Sequence, residues 1–130
     1  MRRLFATFTM MAAFAFLVGC GGGSHGDVSG SVKIDGKPLP AGDIIFESTD
    51  GSAPVAHGKI KDGQYSLKTT SGAKKVRISA TRPGKNVDPS MGAAPQEALI
   101  GPEYNSNTQL IADVKPGANS NVNFDVKALP

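Results

Sequence analysis

The sequence predicts an all-β fold, a single antiparallel seven-stranded β-sandwich, for the part of the chain that follows residue 26. Three observations lead to this prediction. Apolar and polar residues alternate with a period of two in short runs, Gly, Pro, Asp and Asn separate most of these runs, and no stretch has the 3.6-residue period of an amphipathic helix. A small closed barrel fits the same alternation, because period-two patterning does not distinguish a barrel from a sandwich.

The first half of the domain contains three predicted strands. Residues 28–34 alternate between apolar and polar side chains, which indicates a strand with one buried face, and the turn residues 35–40 end it. The apolar run 44–46 predicts the second strand, which ends at the polar segment 49–52. A third strand with a weaker pattern spans residues 55–61.

The dipeptide Asp62-Gly63 joins this third strand to the alternating segment 64–69. Asp-Gly between two alternating segments predicts a β-hairpin, because glycine accepts the positive φ that the tight turn requires. After a break at Ser71-Gly72, a fifth strand is predicted over residues 76–81. The last two strands are predicted over 110–114 and 122–127.

A long segment between residues 82 and 108 interrupts this regular spacing. It contains Pro83, Pro89, Pro95 and Pro102 and little alternation. Loops longer than about 12–15 residues in a compact domain are usually functional or disordered.

Tyr104 and Met91 are the candidate partner-binding residues of this loop. In the alternative interpretation, Tyr104 fixes the loop to the domain and Met91 is exposed.

The amino-terminal segment has the composition of an export signal. Arg2 and Arg3 precede an uncharged apolar run over residues 4–18, whose last two residues begin the tetrad Leu17-Val18-Gly19-Cys20. This run is shorter than the roughly 20 residues that a helix needs to cross a bilayer, so a cleaved signal helix is favoured over a permanent span. The tetrad resembles a bacterial lipobox, which implies cleavage between Gly19 and Cys20.

The resemblance also implies that the Cys20 thiol carries a diacylglycerol and that its new amino group is acylated. One acyl chain holds a protein only marginally, so two or three chains give stable attachment. An incidental cysteine after an ordinary secretory signal is the alternative. We therefore expect residues 1–19 to be a signal peptide, 20–26 a lipidated cysteine with a Gly-rich tether, and 27–130 the β-domain.

Removal of the signal changes the charge and the supply of aromatic residues. Arg2 and Arg3 leave with it and no acidic residue does, so the formal charge falls from +3 to +1. Four basic residues, Lys74, Lys75, Arg77 and Arg82, cluster in or near the fifth strand. Alternation should divide them between two faces, which indicates a solvated edge and no nucleic-acid surface. The domain keeps only four aromatic residues: Phe46, Tyr65, Tyr104 and Phe124.

Several segments resemble the carboxypeptidase regulatory-like, or transthyretin-like, β-sandwich. Residues 28–32 and 35–39 are similar to its first strand and turn, and residues 62–67 to its central hairpin. Residues 102–105 and 114–117 are similar to the closing half of small lipoproteins of planctomycete-type bacteria. The resemblance implies a transthyretin-like or Ig-like sandwich and is almost silent on activity, because such modules accompany many unrelated proteins.

No catalytic residue is predicted. The enzymatic branch of the transthyretin-like group uses paired histidines, an arginine and a Tyr-Arg-Gly-Ser tail, whereas this chain ends in Lys-Ala-Leu-Pro and has only His25 and His57. The spacing of Ser71 and Lys74 matches a Ser-x-x-Lys nucleophile pair. That spacing works on a helix, whereas here it enters a strand.

No metal or cofactor is predicted either. Zinc sites need converging Cys and His ligands, and the single cysteine is assigned to the lipid anchor. Five aspartates between residues 27 and 62 lack the dense spacing of a calcium loop, so we interpret them as turn residues: Asp27, Asp35, Asp43, Asp50 and Asp62.

These patterns lead to two functional hypotheses. The first is a non-enzymatic envelope lipoprotein, anchored by Cys20 to the outer or cytoplasmic membrane with its domain in the periplasm or at the cell surface. Its partners would be the bilayer and an unidentified envelope protein or polysaccharide. The second is a small-ligand or carbohydrate-binding module in which loop 82–108 closes over one end of the sandwich and Tyr104 lines the site.

Overall fold

A computed structural model describes residues 24–85, 89–90, 92 and 94–130. These residues form an all-β structure with one short 3₁₀ helix, η1 (Pro102–Tyr104). The strands, in chain order, are β1 (His25–Ile34), β2 (Lys37–Pro38), β3 (Ala41–Ser48), β4 (Ala56–Lys61), β5 (Gln64–Thr70), β6 (Gly72–Ser79), β7 (Thr81–Pro83), β8 (Gln96–Ala98), β9 (Ile111–Val114), β10 (Gly117–Asn119) and β11 (Phe124–Val126).

Nine of these strands form one curled, mostly antiparallel sheet in the order β10-β1-β5-β4-β3-β6-β9. The long strand β1 also pairs with β2 and β11, and its pairings with β10 and β11 are parallel. The hairpin strands β4 and β5 are in register only at Lys61 and Gln64, next to their turn. Beyond that point they diverge, so the two halves of the sheet curl towards each other.

The core lies inside this curl. Val28 and Val32 of β1 and Ile44 of β3 have no exposed surface, and Ile60 and Tyr65 are at most 4% exposed. Three rings join elements that are not neighbours in the sheet: the Phe46 centroid on β3 lies 6.2 Å from that of Tyr65 on β5 and 6.5 Å from that of Phe124 on β11. Aromatic contacts at this spacing add to the area that the rings bury.

The predicted Asp-Gly hairpin is confirmed. Asp62 and Gly63 both have positive φ, 51° and 76°, as a type I′ turn requires. Asp35 and Gly36 form a second turn with φ of 49° and 82°, between β1 and β2. In both turns the aspartate tolerates the left-handed region and the glycine has no Cβ to oppose it.

Each of the seven predicted strands corresponds to a strand of the structure, and their predicted inward faces are the buried ones. The structure differs in having four further short strands among its described residues. The strand β2 falls within the predicted turn 35–40, β7 and β8 form a two-stranded hairpin in the 82–108 loop, and β10 precedes the last predicted strand. These strands have two or three residues, too few for a period to be visible in the sequence.

The strand register shows which residues lie at each end of the domain. His25 pairs with Thr70, Gly26 with Gly117, and Ser48 with Lys74, so these residues mark one end, called here the tether end. Ser79 pairs with Asp43 and Lys61 with Gln64 at the opposite end, called the far end. A ten-residue strand such as β1 spans about 30 Å, which is therefore the approximate separation of the two ends.

Candidate functional site

Two adjoining open clefts lie at the far end and form what we call the far-end groove. One cleft, of about 480 Å³, lies among the start of β3, the end of β4 and the end of β6. The other, of about 390 Å³, lies between the end of β6 and residues 98–106 of the long loop. They share Ser79, Ala80 and Thr81, so this short segment forms the ridge between them.

The far-end groove combines apolar lining residues with polar ones. Ile60, Ala80 and Ile100 contribute apolar surface, and all three are buried members of the core. An exposed ion pair between Lys59 and Asp43 borders the first cleft. An exposed pair of this kind contributes little stability. The arrangement provides an apolar floor with polar groups that could orient a bound molecule.

Backbone hydrogen bonds hold the long loop against the groove. The N–H of Leu99 donates to the carbonyl of Ala80 at 2.8 Å, and the N–H of Leu129 donates to the carbonyl of Leu99 at 2.8 Å. Ile100 also forms an antiparallel bridge with Ala128. The carboxyl-terminal residues therefore fix the second half of the loop, and the lining of the second cleft is part of the ordered fold.

Tyr104 and Met91 were the two loop residues predicted to bind a partner. Tyr104 ends η1, is half-buried and packs against the core, and it is not among the residues that line either cleft. Its place matches the alternative interpretation, in which it fixes the loop to the domain. Met91 lies outside the described residues, as do Gly19, Cys20 and the signal segment 1–19.

The aspartates divide into turn and strand residues. The turn interpretation is confirmed for Asp35 and Asp62, and for Asp50, whose carboxylate accepts a hydrogen bond from the Ser52 N–H at 2.9 Å. A hydrogen bond from the Ser52 side chain, together with this backbone bond, holds the Asp50 pKa below its ordinary value. The interpretation is wrong for Asp27 and Asp43, which lie in β1 and β3 and pair with lysines on neighbouring strands.

The histidines and acidic residues do not converge. His25 and His57 are exposed on β1 and β4. Within residues 24–85 and the described part of 89–130, no group of three or more His, Cys, Asp or Glu side chains could hold a metal ion. The same residues contain no helix that is long and apolar enough to cross a membrane.

The predicted solvated edge is wrong for Lys74. Strand β6 lies between β3 and β9. Of its three basic residues, Lys75 and Arg77 lie on the outward face, whereas Lys74 is 1% exposed. Its Nζ donates to Ser48 Oγ at 2.8 Å and to Thr70 Oγ1 at 2.6 Å. Ser48 and Thr70 therefore provide the hydroxyl groups that contact this lysine. Neither residue was predicted to have a role beyond its strand or turn.

Sequence analysis also missed most residues of the far-end groove. Ser79, Ala80 and Thr81 were assigned only to a strand, and Asn105 and Ser106 only to the long loop. Their proximity depends on the pairing of β7 with β8 and of the chain end with Ile100, which no local pattern predicts.

No protein-family model, curated protein or solved structure matches this chain.

Proposed function

We propose that this chain is a non-enzymatic envelope lipoprotein: a β-sandwich of the carboxypeptidase regulatory-like kind, anchored to a membrane through acylated Cys20, that binds an envelope protein. The observation that carries the proposal is the position of the lipobox-like tetrad relative to the fold. Cys20 stands five residues before His25, where β1 begins at the tether end. The far-end groove lies at the other end of the same strand.

The arrangement of the two ends supports this proposal. Five residues separate Cys20 from His25, and a segment of this length reaches at most about 18 Å, so the proposed anchor keeps the tether end close to the lipid. The groove is about 30 Å further away because β1 spans the length of the domain. A partner in the periplasm or beyond the cell surface can then reach the groove without contacting the bilayer.

The character of the groove favours a protein partner. Its lining residues include Ile60, Ala80, Ile100 and Leu129 and no aromatic side chain. Sugars are usually held by flat aromatic faces together with hydrogen bonds, whereas apolar side chains of a protein fit an aliphatic floor.

The second candidate function, a small-ligand or carbohydrate-binding module, is favoured by the long loop itself. Residues 98–106 line one cleft of the groove, which is where that hypothesis placed a site. Titration with small neutral saccharides, monitored by the amide signals of Thr81 and Asn105, tests it. Saturable shifts at both residues would favour this second function over the first.

The main proposal is tested by measuring how close each end of the domain lies to the membrane. Cys20 is the only cysteine in the sequence, so once its thiol carries the diacylglycerol a second cysteine gives a unique labelling position. We would place a fluorophore at Val55, which is 44% exposed at the tether end, or at Ser106 in the groove, and reconstitute each protein in vesicles with headgroup-attached quenchers.

We expect strong quenching of the label at position 55 and little quenching at position 106. The same two labels in a Cys20→Ala background, which lacks the proposed anchor, serve as the control for non-specific contact with vesicles. Equal quenching at positions 55 and 106 would contradict the proposed orientation.

A further inference from the structure

A third cleft, of about 200 Å³, lies at the tether end, where β4 and β5 have diverged. It is lined by the start of β4 with the preceding Val55, by the end of β5, and by His25. Two adjacent threonines of β5, Thr69 and Thr70, form part of its wall. This cleft is separate from the far-end groove and uses none of its residues.

Both threonines belong to a polar group inside the tether end of the core. Thr69 is 4% exposed, and its hydroxyl has no hydrogen-bond partner among the described residues. Ser48 and Thr70 each accept one hydrogen bond from the Lys74 ammonium. The cleft wall thus includes two threonines beside the apolar residues Pro54, Val55 and Ala56, and the Lys74 ammonium lies behind Thr70.

The buried ammonium lacks a direct acidic partner in the described part of the chain. The ion pairs there involve Lys59, Lys68, Arg77 and Arg82, and none includes Lys74. Asp50 is fully exposed, and the charge of Lys74 is the smallest of the influences that lower its pKa. A buried charge without an ionic partner is costly, so an anion bound nearby would stabilise this arrangement.

The group is also rich in donors. An ammonium has three N–H bonds and no lone pair, and a hydroxyl that accepts one of them still has its own hydrogen to donate. Thr69 and Thr70 therefore bring two hydroxyl donors to the cleft wall, and the Lys74 ammonium, which does not itself line the cleft, lies behind Thr70. Lys68 adds a positive charge among the lining residues and pairs with Asp27 at 3.7 Å. A compact anion with several acceptor oxygens satisfies such a set.

From this geometry we propose that the tether-end cleft binds a phosphate group. Thr69 and Thr70 donate to its oxygens, and the Lys74 ammonium supplies the compensating charge from behind them. Lysine is a common point-charge partner of phosphate, and a phosphate oxygen accepts charge-assisted hydrogen bonds. The phosphate can come from a free phosphate or a soluble ester, or from the headgroup of a membrane lipid, since the cleft shares its end with the tether.

Calorimetric titration of the full chain in detergent with inorganic phosphate tests the site. Sodium chloride of equal ionic strength is the reference, which separates a specific site from general screening. We expect saturable binding by the wild-type protein. Lys74→Met should weaken it about tenfold or more, because it removes the buried positive charge that compensates the phosphate.

Two further variants keep the test informative even if Lys74→Met does not fold. Thr69→Val removes the unpartnered hydroxyl and keeps the side-chain shape, and we expect it to weaken phosphate binding about threefold or more. Lys75→Met removes the neighbouring exposed lysine of β6 and should leave the affinity unchanged. Absence of saturable binding by the wild-type chain, or an equal loss in Lys75→Met and Lys74→Met, would overturn the proposal.

A comparison of two vesicle compositions identifies the source of the phosphate. The wild-type protein is titrated with inorganic phosphate in vesicles of a neutral glycolipid that contain a fatty acid as the anionic lipid, and in vesicles of equal surface charge in which phosphatidic acid replaces the fatty acid. Lower apparent affinity in the second set identifies the lipid headgroup as the ligand, and equal affinity identifies a soluble phosphate. Only this comparison depends on membrane anchoring, so loss of the proposed anchor would leave the detergent titration intact.

Discussion

At the scale of single residues, Tyr65 connects the core to the last part of the chain. Tyr65 is 4% exposed, and its ring packs against the rings of Phe46 and Phe124, with centroids 6.2 and 6.4 Å away. Its hydroxyl donates to the carbonyl of Val122 at 2.7 Å, which satisfies a polar group beside the core. A tyrosine suits this place because a large apolar ring ends in a hydrogen-bond donor.

Tyr65→Phe should lower the free energy of unfolding by about 1–2 kcal/mol, because the Val122 carbonyl loses its partner while the ring packing is kept. Urea denaturation followed by circular dichroism measures the change. Tyr104→Phe is the matched control: the Tyr104 hydroxyl makes no hydrogen bond to a described residue, and a change within about 0.5 kcal/mol is expected. Equal losses in the two variants would contradict the role of Tyr65.

The same residue predicts an alkaline limit to stability. Burial raises the Tyr65 pKa above the ordinary value of about 10, so the folded protein keeps a proton that the unfolded chain releases. The contribution to stability is complete below pH 10 and falls as the pH rises above it. Urea midpoints at pH 8, 10 and 11 should decline in this order, and the decline above pH 10 should be smaller in Tyr65→Phe; parallel curves would contradict the assignment.

At the scale of elements, the two Asp-Gly turns have the same conformation and different surroundings. A Cβ on Gly36 would meet nothing within 4 Å, whereas a Cβ on Gly63 would lie 2.7 Å from the Cβ of Pro38. The Gly63 turn is therefore packed against the short strand β2, and the Gly36 turn projects from the fold. The sequence predicted a turn at both places, but it could not predict this difference because the contact with Pro38 is set by the pairing of β2 with β1.

Gly36→Ala should cost about 1 kcal/mol of folding stability from its positive φ alone. Gly63→Ala should cost at least about 1 kcal/mol more, because the new methyl group also displaces Pro38. Thermal and urea denaturation of the two variants measure the difference. A smaller loss in Gly63→Ala than in Gly36→Ala would show that β2 does not pack against this turn.

The sequence predicted the long loop only from its prolines and its lack of alternation, and it did not predict the structure within the loop. Its β7–β8 hairpin and its attachment to the chain end depend on contacts between residues about 15 to 30 positions apart, which a local pattern does not contain. We expect the amide hydrogens of Leu99 and Leu129 to exchange with solvent at least about tenfold more slowly than that of Ser106, which donates no backbone hydrogen bond to a described residue. Similar exchange rates for all three would contradict the ordered loop.

At the scale of the whole molecule, alternation along the chain was sufficient to predict the all-β class and the inward faces of the main strands. Val28 and Val32 are buried as predicted, and Ile111 is exposed as its place between Leu110 and Ala112 required. The same rule fails to distinguish a long polar side chain from an apolar one at an inward position. Lys74 occupies such a position, and its charge led us to place it at the surface.

The distribution of sites over the molecule depends on topology that the sequence did not reveal. The far-end groove lies where β3, β4 and β6 come together with residues 98–106. The tether-end cleft lies where β4 and β5 separate. The lipobox-like tetrad, by contrast, is a local pattern, and the proposed anchor is argued from it, although Cys20 lies outside the described residues.

The measurement that tests the lipoprotein proposal most directly is the intact mass of the native protein, together with membrane fractionation, beside a Cys20→Ala variant. We predict a mature chain that begins at Cys20, carries the added mass of diacylglycerol and N-acyl groups, and sediments with membranes. The Cys20→Ala variant should lack the lipid mass. An unmodified soluble wild-type chain, or one that retains residues 1–19, would contradict the account.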